Sequence, residues 1–548
     1  MDNLVFNIIS PLKLWEDFNP LAEPLDLNVV REYEDEGIMR KMVYFTSERT
    51  DDGVVRAFAE VFYPVGAEVG SLPCILYIPP VREGLSDALI RRTCLEGYAV
   101  VRVDYAGECE TKAHHTMYPT SLDYCNHVRA GAHINQVLTN VKNTTWYHWA
   151  IVARRALSMV SATLDVIDTS KIMVMGSEEG SYLMWQVSAM DGRVSRAVSL
   201  VGYIPEPPKD IEENERDAWL SCIDPRSYAQ YISIPILYVQ ATDNPHASPD
   251  VMQDIIGNLI DGTYVRHTHS VGYEHTITLE DYETVLSFAK QMKEPIELVE
   301  PTLTLEVGQN NVLAKLDVNG ATPHTVEIYQ SHKTERGFTK WKLLNLSLDA
   351  DGCYVGNVRI HEADNTVFVV GKVYLDTGSL STDLESVTLP PDSRAIKPRL
   401  RNKVIYNTDM SLSELQVGAN TTVLERDYLT IEKGAKELLG VRAKEGCLVL
   451  KRDDDRHIET DSLTCIQLDV YAETAQDIYV KVYEVEDGVM SEYNATYHLD
   501  GDENWQRIRI ETSTLKDENN QSMPDWALYH EVQITGVERV LVNNIQWL

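Results

Sequence analysis

A chain of 548 residues with 44% hydrophobic residues is long enough for about three domains of ordinary size, each with its own core. Its 84 acidic residues outnumber the 49 basic ones and give a net charge of -35, which repels phosphate backbones and anionic lipid surfaces. The composition argues against nucleic-acid binding and indicates a globular protein.

The first residues do not fit the pattern expected of a secretory leader. Asp2 stands where a leader carries lysines, and Pro11 and Lys13 interrupt the apolar run. No later segment has the ~18 consecutive apolar residues of a membrane helix. The eight cysteines show no CxxC pair and no zinc spacing, which predicts buried free thiols. We therefore expect a cytoplasmic protein with no membrane partner and no cofactor.

The first part of the chain predicts an α/β domain. Residues 1–40 are mixed and acidic, and we expect an N-terminal extension packed on that domain. Over residues 41–297, apolar runs such as Cys74–Ile78 alternate with helix-like segments such as Trp146–Val160. This alternation predicts an open, mostly parallel sheet covered by helices on both faces. Ligands of such sheets lie beyond the carboxyl ends of the strands.

The rest of the chain predicts two all-β domains. After Pro295 the apolar periodicity changes to two and the helix-like segments stop. Residues 298–392 contain short strands separated by turns, which predicts a β-sandwich. Residues 393–548 are again rich in strands, and their length and strand number favour a jelly roll.

A nucleophile elbow is predicted where an apolar run passes through Gly176-Ser-Glu-Glu-Gly180 into a helix-like segment. In this Gly-x-nucleophile-x-Gly frame the nucleophile position holds Glu178. Asp243 follows a later predicted strand, and His275 lies just before the last predicted helix. Nucleophile, acid and histidine in this order are typical of hydrolases with a catalytic triad. We therefore predict Glu178, Asp243 and His275 as the catalytic residues.

Several motifs together resemble a known family. The strand segment Gly97–Gly107, the helix start Trp146–Ala150, the elbow Lys171–Gly180 and the turn Ala241–Asn244 match α/β-hydrolases of the acetyl-xylan-esterase, dienelactone-hydrolase and cocaine-esterase-like branch. The resemblance covers residues 40–295. It implies a hydrolase directed at carbohydrate-related or other small ester-like substrates, and self-association as a homo-oligomer is left open.

The two C-terminal domains carry weaker resemblances. The sandwich, with Tyr329 and Trp341, resembles the immunoglobulin-like module found behind some of these catalytic domains. The last segment, with Asn504–Ile508 and Val542–Trp547, resembles carbohydrate-binding jelly rolls. Asn543 and Asn544 stand where such modules often carry a calcium-binding Asp, so whether this domain binds calcium is left open.

The nucleophile position departs from the family, which has serine where this chain has Glu178. Three hypotheses follow: a carboxylate-based hydrolase, an inactive pseudo-hydrolase that binds a ligand or carbohydrate, and a serine mechanism through Ser177 or Ser181. The backbone N–H groups of Val81 and Glu179 are the candidate oxyanion donors.

Further candidate contacts come from histidine and tryptophan side chains. His114 and His115 fall near the expected ligand edge of the sheet, and Trp146 belongs to a matched motif, so we predict all three to bind substrate. No histidine pair has the spacing and placement of a metal site, and no metal is expected.

Overall fold

The computed structural model describes residues 10–81, 84–108, 113–130, 134, 140–205, 207, 211–308, 311–334, 337–358, 366–388, 404–418, 421–424, 428–452, 464–486 and 489–548. The chain forms two compact units. Unit 1 comprises the described residues up to Gln240, together with His246–Thr268 and Asp281–Leu298. Unit 2 comprises Ala241–Pro245, His269–Glu280 and the described residues from Val299 onward. The predicted boundary at residues 392 and 393 lies outside the described residues.

Unit 1 is built around a nine-stranded mixed sheet. Its strands are β1 (Asn28–Asp35), β2 (Ile38–Thr50), β3 (Gly53–Pro64), β4 (Leu72–Ile78), β5 (Ala99–Asp104), β6 (Ile167–Glu178), β7 (Arg196–Gly202), β8 (Ile236–Ala241) and β9 (Val265–Ser270). Their order is β1-β2-β3-β5-β4-β6-β7-β8-β9. Three pairs are antiparallel: β1 with β2, β2 with β3, and β3 with β5. Strand β4 pairs in parallel with β5 and β6, and β7 pairs in parallel with β6 and β8.

The helices of this part of the chain are α1 (Pro11–Trp15), α2 (Asp87–Leu95), α3 (His127–Ala130), α4 (Thr145–Thr163), α5 (Glu179–Met190), α6 (Glu213–Cys222), α7 (Pro225–Ala229), α8 (Pro249–Ile256) and α9 (Leu279–Lys290). Local capping explains where several of them begin. The Thr144 hydroxyl accepts a hydrogen bond from the Tyr147 N–H at the start of α4, and Ser86 caps α2 in the same way. None of the helices in the described part of the chain is both long enough and apolar enough to cross a lipid bilayer.

The segment predicted as an N-terminal extension contributes to the sheet. Its residues 28–35 form the edge strand β1, paired with β2 in an antiparallel register. The buried Arg155 guanidinium on α4 donates hydrogen bonds to the carbonyl oxygens of Glu23 and Thr46, which anchors the chain before β1. An edge strand exposed on both faces lacks the apolar alternation that reveals a half-buried strand in sequence.

The described residues of unit 2 form two pairs of sheets, each pair with its own core, and one small two-stranded sheet. The strands are β10 (Ile277–Thr278), β11 (Thr302–Val307), β12 (Val312–Asp317), β13 (Thr325–Thr334), β14 (Gly337–Phe338), β15 (Lys342–Leu343), β16 (Leu346–Leu348), β17 (Tyr354–Val358), β18 (Thr366–Leu375), β19 (Gly378–Ser381), β20 (Glu385–Thr388), β21 (Val404–Tyr406), β22 (Gln416–Gly418), β23 (Val423–Leu424), β24 (Leu429–Lys433), β25 (Leu439–Ala443), β26 (Cys447–Lys451), β27 (Cys465–Ala472), β28 (Gln476–Glu486), β29 (Val489–Leu499), β30 (Trp505–Glu511), β31 (Tyr529–Thr535) and β32 (Val540–Trp547).

The first pair spans β11 to β20. One sheet has the order β11-β12-β17-β16, and the other has the order β14-β13-β18-β19 with β15 and β20 at its sides. Apolar side chains of both sheets, such as Leu316 and Val369, share one core. The second pair spans β21 to β32 without β23. Its orders are β24-β25-β32-β27-β30, with β21 paired to β32, and β22-β26-β31-β28-β29, and the two sheets share a core that includes Trp526.

Two short segments that follow strands of the nine-stranded sheet belong to unit 2. The first is Ala241–Pro245 after β8, and the second is His269–Glu280, which begins at the end of β9. The second segment contains β10, which pairs in parallel with β23. The Lys372 ammonium on β18 also donates a hydrogen bond to the His269 carbonyl oxygen (2.7 Å). The segments that carry Asp243 and His275 are therefore packed within the all-β part of the protein.

Candidate functional site

The predicted elbow is present in unit 1. Strand β6 ends at Glu178, helix α5 begins at Glu179, and Glu178 has φ 46° and ψ -117°. A side chain at Gly176 would clash with the Gly180 carbonyl, and one at Gly180 would clash with the Ile78 carbonyl. Both glycines are therefore required because the backbone is crowded on each side of the turn.

A second strained residue lies on the neighbouring strand. Val201, near the end of β7, has φ 47°, which is a rare conformation for a β-branched side chain. The pairing of β6 with β7 shifts register between Ser177 and Glu178, so that Glu178 pairs with Gly202. Strain of this kind costs about 1–3 kcal/mol per residue and clusters at functional sites.

One candidate oxyanion donor is occupied. The backbone N–H of Val81 donates a hydrogen bond to Oε2 of Glu179 (3.2 Å), and Val81 is 4% exposed. A carboxylate therefore already accepts from the N–H group that was predicted to stabilise an oxyanion. A second negative charge at that place would be repelled.

Two phenols lie close enough to the elbow carboxylates for the charges to act on them. Burial raises the pKa of Tyr203 to about 12, and the charges of Glu179 and Glu178 add to this effect. Burial also raises the pKa of Tyr105, again with contributions from Glu179 and from Glu178, and its hydroxyl donates to the Pro79 carbonyl (2.9 Å). Both phenols therefore stay protonated at neutral pH and act as hydrogen-bond donors.

The two serines beside the elbow form hydrogen bonds with other hydroxyl groups in the core. Ser177 lies 3.2 Å from the Tyr77 hydroxyl, and Ser181 lies 2.6 Å from the Ser199 hydroxyl. Both serines have no exposed surface. A substrate could reach either hydroxyl only after rearrangement of the core, so neither Ser177 nor Ser181 is an accessible nucleophile.

In unit 2, both carboxylate oxygens of Asp243 have partners. Oδ1 accepts hydrogen bonds from the indole N–H of Trp341 (2.7 Å) and the hydroxyl of Thr242 (3.0 Å). Oδ2 accepts a hydrogen bond from the Lys451 ammonium (2.6 Å), and the Asp243 side chain is 2% exposed. The predicted triad acid is thus held by a tryptophan and a lysine of the all-β domains.

Lys451 is the centre of a buried ionic cluster. Its Nζ lies 3.4 Å from Oε1 of Glu274 and 3.9 Å from Oε2 of Glu531, and its side chain is 3% exposed. Burial alone would lower the pKa of Lys451, but Asp243, Glu274 and Glu531 together raise it. One ammonium group therefore faces three carboxyl groups in a region of low dielectric constant.

The pKa values of Glu274 and Glu531, two of the three carboxyl groups in this cluster, shift in opposite directions. Burial alone would raise the pKa of Glu274, but Lys451, His275 and His530 together hold it below its usual value. Burial and the charge of Glu274 raise the pKa of Glu531 to about 7, although Lys451 opposes this shift. Glu531 therefore carries a proton for part of the neutral pH range.

The structure brings the segment of His275 together with that of Asp243. The backbone N–H of Asp243 donates to the Tyr273 carbonyl (3.0 Å), and the backbone N–H of Gly272 donates to the Thr242 hydroxyl (2.7 Å). Half-buried His275 lies two residues beyond Tyr273. Glu178 belongs to unit 1 and these two residues belong to unit 2, so their joint action as a triad stays a prediction.

The predicted substrate-binding residues have different surroundings. His114 stacks on Phe58 with ring centroids 5.5 Å apart, and its Nδ1 lies 3.5 Å from the Tyr44 hydroxyl. His114 and His115 are half-buried and keep some access to solvent. Trp146 has no exposed surface, and its indole N–H donates to the Ile134 carbonyl (2.8 Å). Trp146 therefore packs in the core of unit 1, away from the surface.

Sequence reasoning missed Lys451 as a partner of Asp243. The only signal was its position in the apolar run Leu448-Val-Leu-Lys-Arg452, where a lysine is unexpected in a buried strand. Among the described residues, no group of three or more His, Cys, Asp or Glu side chains is arranged to hold a metal ion.

Unit 1 is hydrolase-like in architecture, with a mixed sheet covered by helices and a strand–turn–helix elbow. No protein-family model and no curated protein matches the chain. Similar solved structures include the acetyl xylan esterase from Paenibacillus sp. R4, 18% identical over 49% of this chain and 89% of that chain (TM-score 0.40). Acetyl xylan esterase 1 from Thermoanaerobacterium sp. JW/SL YS485 is 16% identical over 50% and 89% (TM-score 0.37). The glucuronoyl esterase from Solibacter usitatus is 12% identical over 52% and 95% (TM-score 0.36).

Proposed function

We propose that this chain is a hydrolase-like protein that binds a small carbohydrate-related ligand at its elbow and does not transfer acyl groups through serine. The observation that carries the proposal is the hydrogen bond from the Val81 N–H to the Glu179 carboxylate, next to Glu178 at the apex. In a serine esterase, one oxyanion donor contributes about 3–4 kcal/mol to transition-state stabilisation. Here that donor is occupied by an anion, which opposes formation of a tetrahedral intermediate.

The chemistry of the elbow suits a ligand rich in hydroxyl groups. Glu178 and Glu179 are both half-buried, and an ionised carboxylate has about four acceptor positions, so each can accept several hydrogen bonds from sugar hydroxyls. Half-buried Tyr203 adds a phenolic donor whose proton is retained at neutral pH. His114 and His115 are further proposed contacts. The proposal also takes residues 298–392 as an immunoglobulin-like domain and residues 393–548 as a carbohydrate-binding jelly roll.

A carboxylate-based hydrolase is the second candidate. The strained backbone of Glu178 favours it, because the elbow presents a side chain that is already an anion and needs no general base for attack at carbon. Such an enzyme also needs a histidine that activates water against the resulting ester, and His275 with Asp243 would supply it. We place this candidate second because Trp341 and Lys451 already bind both carboxylate oxygens of Asp243.

The binding proposal is tested by titrating the full chain with a xylo-oligosaccharide. We expect saturable binding that Glu178→Gln weakens about tenfold to a hundredfold, because hydrogen bonds to a charged group contribute about 1.5–3 kcal/mol. Glu68→Gln, at an exposed position, is the matched control for the change in charge. Equal affinity in all three proteins would refute binding at the elbow, and turnover of an epoxide or alkyl halide that depends on Glu178 would support the second candidate.

We expect that two substitutions are needed before a serine at the elbow can act as a nucleophile. Glu178→Ser alone should gain no labelling by a fluorophosphonate probe, because the Glu179 carboxylate still occupies the Val81 N–H. Glu178→Ser with Glu179→Ala vacates this donor, and we expect slow labelling that His275→Ala abolishes. Labelling is measured by in-gel fluorescence at matched protein concentration. Rapid labelling of the single variant would contradict the role given to Glu179.

A further inference from the structure

A cleft of about 490 Å³ lies in unit 1 at the amino-terminal ends of the parallel strands, whereas the elbow lies at their carboxyl ends. One wall is formed where β7, β8 and β9 begin, by Arg196, Pro235 and Tyr264. The other wall is formed by the turn after α9, including Gln291, Met292 and Lys293. The parallel register of β6 and β7 pairs Arg196 with Met173 and Glu178 with Gly202, which places the cleft and the elbow at opposite ends of these strands.

Arg196 is a half-buried cation in this cleft. Its guanidinium stacks over Phe288 (5.1 Å to the centroid), and Nη1 donates to Oε1 of Gln291 (2.8 Å). Burial lowers the pKa of Arg196, because a partly desolvated guanidinium is less stable in its charged form. Within the described part of the chain no carboxylate forms an ion pair with it, although the protein has 84 acidic residues. An anion from outside the chain would compensate this charge.

The cleft is rigid around Arg196. Nε2 of Gln291 donates to the Ile296 carbonyl (2.7 Å) and to the Tyr264 hydroxyl (3.3 Å), so this amide is fixed on both sides. Because the same amide accepts from Arg196, the guanidinium is held in one orientation. Preorganisation of this kind lowers the entropy cost of binding.

The second cation of the cleft is also fixed. Lys293 donates to the Glu96 carbonyl (2.7 Å) and lies 3.6 Å from the centre of the Tyr98 ring. The C-terminal end of a helix carries a partial negative charge that repels anions. At the end of α9 this repulsion is reduced, because backbone N–H groups already donate hydrogen bonds to the carbonyl oxygens of Phe288, Ala289 and Lys290. The Glu294 carboxylate pairs with Lys290 (2.8 Å), and its charge and that of Glu96 also act on Lys293. No such acidic group acts on Arg196 among the described residues.

We propose that this cleft binds a small planar organic carboxylate, such as an aromatic acid. The guanidinium of Arg196 presents paired N–H donors that match a carboxylate. Pro235 and Met292 line the cleft beside that charge, together with the Tyr264 ring, over which Arg266 stacks (4.4 Å to the centroid). These groups suit a flat body. This site uses none of the elbow residues, so it stands or falls independently of the function proposed for them.

The test is a titration of the full chain with benzoate at about 0.15 M ionic strength, in which binding is measured by calorimetry or by changes in NMR chemical shift. We expect saturable binding in the millimolar range and at least tenfold weaker binding of benzamide, which has the same shape and no charge. Arg196→Gln should lose at least tenfold in affinity. Arg196→Lys should lose less affinity than Arg196→Gln, because lysine keeps the positive charge. It should still bind more weakly than the wild type, because it lacks the paired N–H donors of a guanidinium.

Arg49→Gln, on β2, is the matched control for loss of one positive charge, and it should bind benzoate as the wild type does. Thermal unfolding of each variant checks that the fold is intact. Binding of benzoate that survives Arg196→Gln in a folded protein overturns the proposal, as does the absence of saturation up to about 20 mM benzoate.

Discussion

Replacing Lys451 by Met is expected to destabilise unit 2 by about 3–5 kcal/mol, because it leaves buried carboxyl groups without their cation. The ammonium is 2.6 Å from Asp243 and 3.4 Å from Glu274, and Met cannot neutralise either charge. Hydrogen exchange of the full chain should show the loss in β26, in β31 and in the segment 269–280. The effect should therefore reach the backbone that carries His275.

Two variants make this expectation specific. Lys481→Met removes a half-exposed lysine of β28, a strand of the same sheet, whose partner Glu492 is also exposed, and should cost less than about 1 kcal/mol. Lys451→Met combined with Asp243→Asn removes one of the unpaired charges and should recover part of the lost stability. If Lys451→Met and Lys481→Met had the same small effect, the buried cluster would not stabilise unit 2.

Replacing Glu531 by Gln is expected to change how the stability of unit 2 depends on pH. Burial and the charge of Glu274 raise the pKa of Glu531 to about 7 in the folded protein, against about 4.5 for an ordinary glutamate side chain. The folded state therefore binds the proton more tightly than the unfolded state. Its stabilising effect is complete below about pH 4.5 and is lost as the pH rises to about 7. Over this window the contribution is about 3 kcal/mol.

Gln cannot ionise, so Glu531→Gln should gain stability over the wild type as the pH rises from about 5 to 7. The measurement is the free energy of unfolding of unit 2, taken from the slowest-exchanging amides of β31 at several pH values. Glu274 acts in the opposite sense, because its lowered pKa makes its contribution fade below about pH 4.5. Glu473→Gln, at an exposed position, is the control, and parallel pH profiles for wild type and Glu531→Gln would contradict the expectation.

Much of the architecture could be predicted from local sequence. The helix predicted over Trp146–Val160 is observed as Thr145–Thr163, and the strand predicted over Cys74–Ile78 is observed as Leu72–Ile78. Apolar periodicity marks such elements because a buried strand or helix must cover its own surface with apolar side chains. The seven described cysteines are free and buried, as their spacing predicted. The polar helix α6 and the exposed strand β1 were missed because neither has this pattern.

The sequence alone also determined the elbow. The spacing of Gly176 and Gly180 around Glu178 dictates a crowded turn that only glycines permit, and the observed backbone follows it. Such a turn is set by interactions between residues a few positions apart, and for this reason a sequence motif suffices to predict it.

Only the tertiary structure decided what surrounds the candidate catalytic groups. Trp341 and Lys451 reach Asp243 from 98 and 208 residues away in sequence, and Val81 reaches Glu179 across 98 residues. Trp146 was expected at a ligand, and packing placed it in the core. Contacts between distant residues depend on how whole sheets pack, and no local pattern of residue types encodes that packing. The chemistry open to Glu178, Asp243 and His275 therefore depends on partners that the motifs themselves do not contain.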